Sequence, residues 1–579
     1  MAQNQFNRKT KTWKIIILLS AIGLIACIFV LFPQVRQWVM HFAEQMLHKE
    51  MDIDQSWSDV LFFYAIGGIC IILFVDFCTL TNSGKMLIQN IKQEMKDCLS
   101  EIDFRSFIKP GLWVFAVYLL GILTVIRANY LYLDDIKRAV DGSRYWYNWS
   151  RYISEILSIF VHADTRLTDI SPLPQLLAIV FLSISSVLLV YITGNKKITA
   201  VRLLASIPLG LSPYILSCLA YKYDSPYMAL SILASIVPFL FMARKKAFLF
   251  VSVLSLLIMC MTYQVASGIY PLIVIMLCFQ YWNNREKSMK EIGSFLGRAT
   301  LVFSFSMLFF KFFLMRPHVD TYTSNAMLPF SSMLAGILNN IKTYAITINN
   351  DWGILWKTGI AFVLFFFVTK SVSLSKQKRL LSLIVSFFVI ALSFILSYGI
   401  YLLLVDPLYL PRALFGFGIF LAILCIYVVS NCRKTALVVV FALNWCLFVF
   451  AFSFGNALAD QARYAEFRIG VVLHDLSILY PNQDAEYMTF QLKNSIDYAP
   501  SIKNIAKNYP IIERLVPKRL SADRYWDYEY LMNHFNYNPI KVGYHLSDDF
   551  SSLNLPVVLD SYYHTIQSDG SRVLILLKH

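Results

Sequence analysis

Charge is scarce in this sequence. Of 579 residues only 15% are Asp, Glu, Lys or Arg, whereas 57% are hydrophobic. No soluble fold of that size needs so many apolar runs, so the composition is that of an integral membrane protein. Acids are scarcer still, 36 against 51 basic residues. In a soluble chain the net charge of +15 would suggest nucleic acid. Here the excess lies in loops between apolar runs, where Lys and Arg mark the cytoplasmic side and basic patches meet lipid headgroups. The signatures of nucleotide binding are missing, with no G-x-x-x-x-G-K-[ST] loop and no Rossmann glycine pattern, so a nucleotide-sugar donor has no visible site. The histidines show no HxxxH or HxH spacing, which argues against a histidine-built metal centre. All ten cysteines fall in apolar runs or in loops read as cytoplasmic. The long C-terminal tail therefore carries neither a disulfide framework nor a thiolate metal site.

What is present is a series of apolar runs, most of them long enough to cross a bilayer. Thirteen are expected, near 13–32, 57–80, 111–129, 173–193, 201–221, 226–243, 247–263, 265–282, 299–315, 357–370, 380–405, 412–430 and 436–454. The first follows Arg8, Lys9 and Lys11 and reads as a retained signal anchor. Alternate loops hold basic clusters such as Lys196, Lys197 and Arg202, or Arg244, Lys245 and Lys246, which places them and the N-terminus in the cytoplasm. The acidic loop at 130–172, the loop at 316–356 and the tail then share the outer side. Three parts follow: an extension over 1–110 with two spans and a surface helix, a membrane domain over 111–454, and an outer domain over 455–579. Within the first part Ile88, Ile91, Met95, Cys98, Leu99 and Ile102 recur at helical spacing, as in a helix lying on a membrane surface.

The loop at 130–172 is the most polar interruption of the first half. Asp134 and Asp135 follow closely on a span, where carboxylates are costly to desolvate and usually serve chemistry or ion binding. The plainer alternative is a helix-capping pair. From Arg144 to Phe160 the apolar residues Trp146, Trp149, Ile153, Ile156, Leu157 and Phe160 recur at three- and four-residue steps. That spacing predicts one interfacial helix with its tryptophans at headgroup depth. Acids, arginines and aromatics together suit a sugar phosphate, since guanidinium groups pair with phosphate oxygens. The first candidates for the phosphate are Arg138, Arg144 and Arg151, then Lys311, Arg316 and Arg412, each with an ordinary headgroup contact as the alternative. Tyr132, Trp146, Asp169, Gln175, Tyr263 and Gln264 are the candidates for sugar or acceptor contacts.

These stretches resemble a known family. A span followed by DDIKRAVDG, a W-x-x-x-x-R stretch from Trp146 to Arg151, and TDISPLPQLLAI from Thr168 to Ile179 are similar to the serotype-converting O-antigen glucosyltransferases, polytopic enzymes of the C-type glycosyltransferase superfamily. YKYDSPYMALS, TYQ (Thr262 to Gln264) and YPIIERLVPKRL extend the likeness from about residue 110 to the C-terminus. Two additional spans and a basic segment precede its start. The resemblance implies a polytopic α-helical fold of the C-type glycosyltransferase kind, with a small α/β extracytoplasmic C-terminal domain, in the bacterial inner membrane. It implies an inverting enzyme that moves a hexose, glucose, from polyprenyl phosphate to a surface polysaccharide such as the O-antigen of lipopolysaccharide. The superfamily's essential carboxylates lie in the first large outer loop. That makes Asp134 the base and leaves Asp135 to orient it, the acceptor, or a divalent cation; no other metal or cofactor is implied.

The rival class is a lipid or lipid-linked oligosaccharide flippase without catalysis. Transporters place ionisable groups near the bilayer midplane, and here only Asp76 and Lys311 lie there. In the tail, YMTFQL reads as a strand, and PVVLDSYYHTIQ and SRVLILLKH read as strands flanking a Ser-Asp-Gly turn. Acceptor recognition, a lid and a passive cap are all compatible with it.

Overall fold

The computed structural model describes residues 81–315, 326–431, 434–481, 489–522, 527, 530–535, 541–542 and 549–578. The expected spans at 13–32 and 57–80, together with Asp76 and Arg316, lie outside them. The chain divides into two compact units, Met1–Asn90 with Leu308–Pro317, and Ile91–Met307 with His318–His579. Lys311 belongs to the first. The second unit carries the rest and is described below.

Among the described residues, eight helices are long and apolar enough to cross a membrane: Arg105–Ala128, Leu173–Thr193, Lys245–Thr262, Gln264–Asn283, Met289–Leu314, Ile354–Ser373, Arg379–Leu396 and Lys434–Leu479. A bent pair, Ala200–Leu211 and Pro213–Ala220, makes a ninth if read as one span. Ser225–Phe241 and Gly416–Asn431 are shorter apolar helices. The protein is thus a polytopic helical membrane protein.

The bend of 58° in the pair has a local cause. Ser212 precedes Pro213 and takes extended geometry (φ −61°, ψ 150°), as steric clash with a proline ring requires. The helix Arg105–Ala128 lies close to its neighbours because two glycines admit it. A Cβ on Gly210 would sit 2.3 Å from the Tyr118 ring, and one on Gly455 would sit 2.3 Å from Thr124 Oγ1. The Thr124 hydroxyl donates to Ala451 O at 3.3 Å.

The chain departs from the simple run-by-run expectation at several places. The run 380–405 ends as a helix at Leu396, and Gly399 at φ 62° opens a 3₁₀ turn over Gly399–Leu403. The loop at 316–356 contains a helix, Met333–Asp351. Its Asn340 donates to Leu402 O and Leu404 O at 3.2 and 3.0 Å. The expected surface helix is Asn82–Ser100; its Cys98 is buried with Phe241, Ala247 and Val251. Glu94 accepts from the amides of Lys246 and Ala247 at 2.8 and 3.0 Å, satisfying donors at the start of Lys245–Thr262.

The last helix, Lys434–Leu479, runs unbroken for 46 residues, about 69 Å at 1.5 Å per residue. That is twice what a bilayer core needs, so its first half can span and its second half leads the tail. The boundary at 454/455 falls inside it. Against the second half packs a five-stranded sheet of order β2-β1-β5-β4-β3, where β1 is Thr489–Lys493, β2 Lys541–Val542, β3 Val557–Asp560, β4 His564–Ser568 and β5 Arg572–Leu577. β1 is parallel to β2 and β5, whereas β3–β4 and β4–β5 are antiparallel. The expected hairpin is β4–β5, turning at Gly570 (φ 95°). Ile469, Val472 and Leu476 of the helix meet Phe490, Ile566 and Ile575 of the sheet in one core, and Ile136 from the acidic loop enters the same core.

Candidate active site

The helix Arg105–Ala128 stops at Asn129, which is left-handed (φ 48°). Leu133 is left-handed as well, and the short helix Asp135–Asp141 follows, ended by Gly142 at φ 67°. Asp134 occupies the N-cap position but makes no capping hydrogen bond. Its Oδ2 accepts from Arg412 Nη1 at 3.1 Å. Arg412 comes from the 3₁₀ turn Pro411–Ala413 and also donates to the Tyr221 hydroxyl at 2.5 Å. The Asp134 side chain keeps 45% of its exposure, so it is open to a ligand. Partial burial raises its pKa, but Arg412 foremost, then Arg138 and Arg151, outweigh that and hold the carboxyl below its ordinary value. It is ionised at neutral pH.

Asp135 is the opposite case. It is fully buried, and Oδ2 accepts from the amides of Tyr132 and Lys222 at 3.1 and 2.9 Å. Oδ1 has no hydrogen-bond partner. Burial pushes its pKa up to about 8, with Asp224 adding to the rise and those two amides opposing it. A carboxyl in that state is protonated at neutral pH and donates rather than accepts a proton. Among the described residues no three His, Cys, Asp or Glu side chains gather as a metal site.

The arginines divide in the same way. Arg138 pairs with buried Asp224 at 2.8 Å and stacks over Trp146 at 4.0 Å. Arg144 pairs with Glu155 at 3.1 Å. Arg151 lies over the Tyr263 ring at 4.6 Å, and its buried Nε has no hydrogen-bond partner. The Tyr263 hydroxyl donates to Arg412 O at 3.4 Å. Arg151, Tyr263, Arg412 and Asp134 therefore form one group, whereas Arg138 and Arg144 are already committed to acids.

The continuous interfacial helix expected over 144–160 is corrected. Residues Trp146–Trp149 form a 3₁₀ turn, Ser150 is left-handed (φ 60°), and a helix resumes at Tyr152–His162. Trp146 does not reach the membrane surface. It is buried against Tyr227, with Nε1 donating to Asp224, because an indole N–H placed beside a buried carboxylate satisfies both. Ile156 and Phe160, the latter 75% exposed, remain on an outward apolar face.

Of the other sugar or acceptor candidates, Tyr132 is buried and donates to Leu515 O at 2.6 Å. Asp169 pairs with Lys222 Nζ at 2.7 Å. Gln175 Oε1 accepts from Ser171 at 3.2 Å, and Gln264 Nε2 donates to Trp149 O at 3.0 Å. Three residues that the sequence reading left without a role are central. Tyr221, Lys222 and Asp224 of YKYDSPYMALS hold Arg412, Asp135 and Arg138 respectively. The signal was two buried charges inside an apolar stretch. Asp224 and Lys222 could not remain there without partners.

Residues 123–429, more than half of the chain, match the family model described as glucosyl transferase GtrII. The chain is also 24% identical over 452 residues to an uncharacterized 55.3 kDa protein in the gtrB 5′ region of Salmonella phage P22, covering 73% of this chain and 88% of that protein. No solved structure matches it.

Proposed function

The chain belongs to the glucosyl transferase GtrII family, and from that premise we propose that it transfers glucose from polyprenyl phosphate to a surface polysaccharide at the outer face of the bacterial inner membrane, with inversion at the anomeric carbon. The observation that carries this reading is the pair of Asp134 and Arg412: an ionised, half-exposed carboxylate held against a guanidinium at the end of the spans, with Arg151 beside it. One group takes a proton and the others stabilise an anion.

In this mechanism the donor's isoprenoid chain stays in the bilayer and its phosphate meets Arg412 and Arg151. Charge-assisted bonds to phosphate are the strong ones. As Arg412 turns toward phosphate, Asp134 loses the neighbour that holds its pKa down, and its basicity rises when it is needed. Asp134 then removes the acceptor hydroxyl proton while that oxygen attacks the anomeric carbon. The bond from that carbon to the phosphate oxygen breaks, and polyprenyl phosphate leaves with the electron pair, stabilised by the two guanidinium groups. The proton passes from Asp134 to water. Asp135, neutral and buried, holds the turn in shape.

Purified protein given polyprenyl-phosphate glucose and candidate acceptors is expected to form a product whose anomeric configuration, read by NMR, is opposite to the donor's. Transfer from a nucleotide sugar with the lipid donor inert would overturn the mechanism.

A further inference from the structure

The two partners of the Asp134–Arg412 pair lie 278 residues apart in sequence, and one segment of the tail touches the backbone leading to each. Tyr130 and Tyr132 donate their hydroxyls to Pro517 O and Leu515 O at 3.1 and 2.6 Å. In the reverse direction Arg519 Nη2 donates to Leu131 O at 2.5 Å and stacks over the Tyr130 ring at 4.3 Å. Three consecutive residues just before the acids are thus tied to 515–519. On the other side Arg514 Nη2 donates to Tyr409 O, three residues before Arg412.

The segment is itself anchored. Arg514 Nη1 pairs with buried Asp351, and Asp351 also accepts from Tyr214 at 2.9 Å. Arg519 is buried, and its carbonyl accepts from the Ile496 amide at 2.9 Å. Tyr132 packs edge-on against Tyr221 at 4.9 Å, and Tyr221 holds Arg412. Ile136, next to Asp135, is part of the tail's own core.

We propose that residues 509–520 are a strap that sets the distance between Asp134 and Arg412, with Arg514 and Arg519 as positioning residues. The tail is then a working part of the site rather than a cap upon it. A carbonyl accepting from a guanidinium fixes backbone position, and a guanidinium buried without a full set of acceptors is costly, so these contacts define one arrangement. The strap's consequence for catalysis rests on the proposed transfer reaction; the tether itself does not.

The test uses the full-length protein with Arg514→Gln, Arg519→Gln, Arg519→Lys and Tyr132→Phe. In the two glutamine variants kcat is expected to fall about ten- to hundredfold, the scale of a small misplacement of reacting groups. The acid limb of the kcat/KM profile, which reports the donor-free protein, should move to higher pH as Asp134 loses its close guanidinium. Amide exchange over 130–142 should accelerate in Arg519→Gln and Tyr132→Phe. Arg519→Lys, which keeps a donor but not the flat fork, should recover part of both effects. Unchanged kcat and acid limb would overturn the proposal, as would activity lost only in proportion to lost folded protein with the limb unmoved. If the unaltered protein transfers nothing from polyprenyl-phosphate glucose, the functional reading alone fails. Exchange over 130–142 and 409–413 then decides the strap: acceleration supports it, and wild-type exchange overturns it.

Discussion

Taken in turn along the chain, the connections between the helices fall into two alternating sets. One set holds 194–199, 242–244, 284–288 and 374–378; the other holds the acidic loop, 221–224, 263–264, 397–415 and the tail. At the first set the turns are short and the charges basic and mostly exposed, as in the pair Arg244–Glu101, which keeps 45% and 51% of its exposure. At the second set helices break at Tyr263 and Gly399, the pair Arg138–Asp224 is buried, and Lys222 is buried against a partly exposed Asp169. An exposed pair adds about 0–1 kcal/mol. Removing one partner of a buried pair costs about 3–5 kcal/mol. Among the described residues that liability falls in the second set, the one that holds the candidate site.

Asp134→Asn should break the difference most sharply. A lost general base costs about 10² to 10⁴ in rate, so transfer should fall by that much while the protein remains inserted and folded, as single-turnover assays and size-exclusion profiles would report. Wild-type turnover would remove the base assignment. Asp224→Ala leaves Arg138 and the Trp146 indole without their carboxylate and should lower unfolding stability by about 3–5 kcal/mol, measured in detergent by denaturant titration.

Arg412→Gln comes next. Losing a charge-assisted bond should raise the donor KM about ten- to hundredfold. It should also shift the acid limb upward, because Arg412 is the largest influence holding the Asp134 pKa down. Asp135→Asn tests the buried neighbour. From the ordinary carboxylate value up to about 8 the folded protein keeps a proton that the unfolded chain has released, so stability falls as pH rises through that range and levels off above it. The amide variant mimics the protonated acid and should lose that slope in melts run from pH 6 to 9. In the first set of connections Arg244→Gln should change stability by less than about 1 kcal/mol and leave transfer unaltered. A large loss there would erase the contrast.

Long apolar runs and basic loops were legible in the sequence because lipid imposes length and backbone satisfaction directly on the chain. The acids were legible for a related reason, since a carboxylate beside hydrocarbon stands out. Trp146 was misread because periodicity records that a residue is apolar, not whether lipid or protein covers it. Ser150's left-handed backbone and the distant Asp224 decided that. Arg412 appeared only as a second-rank phosphate candidate, and nothing local ties it to Asp134. Lys222 and Asp224 lay in a stretch already singled out, but their partners, more than 50 residues away, exist only once the helices are packed.

The uninterrupted helix Lys434–Leu479 bears on how such proteins can be recombined. A cut at residue 454 would sever a rod at a point where Ala451, Phe454 and Leu458 are buried, and would leave the excised tail with an apolar stump. The portable block begins at Lys434 and carries the final span, the sheet and the residues that meet Tyr130 and Tyr132 together. Exchanging tails between relatives should give active hybrids only when that whole block travels with compatible tyrosines at 130 and 132, and inert ones when the join is made at residue 454.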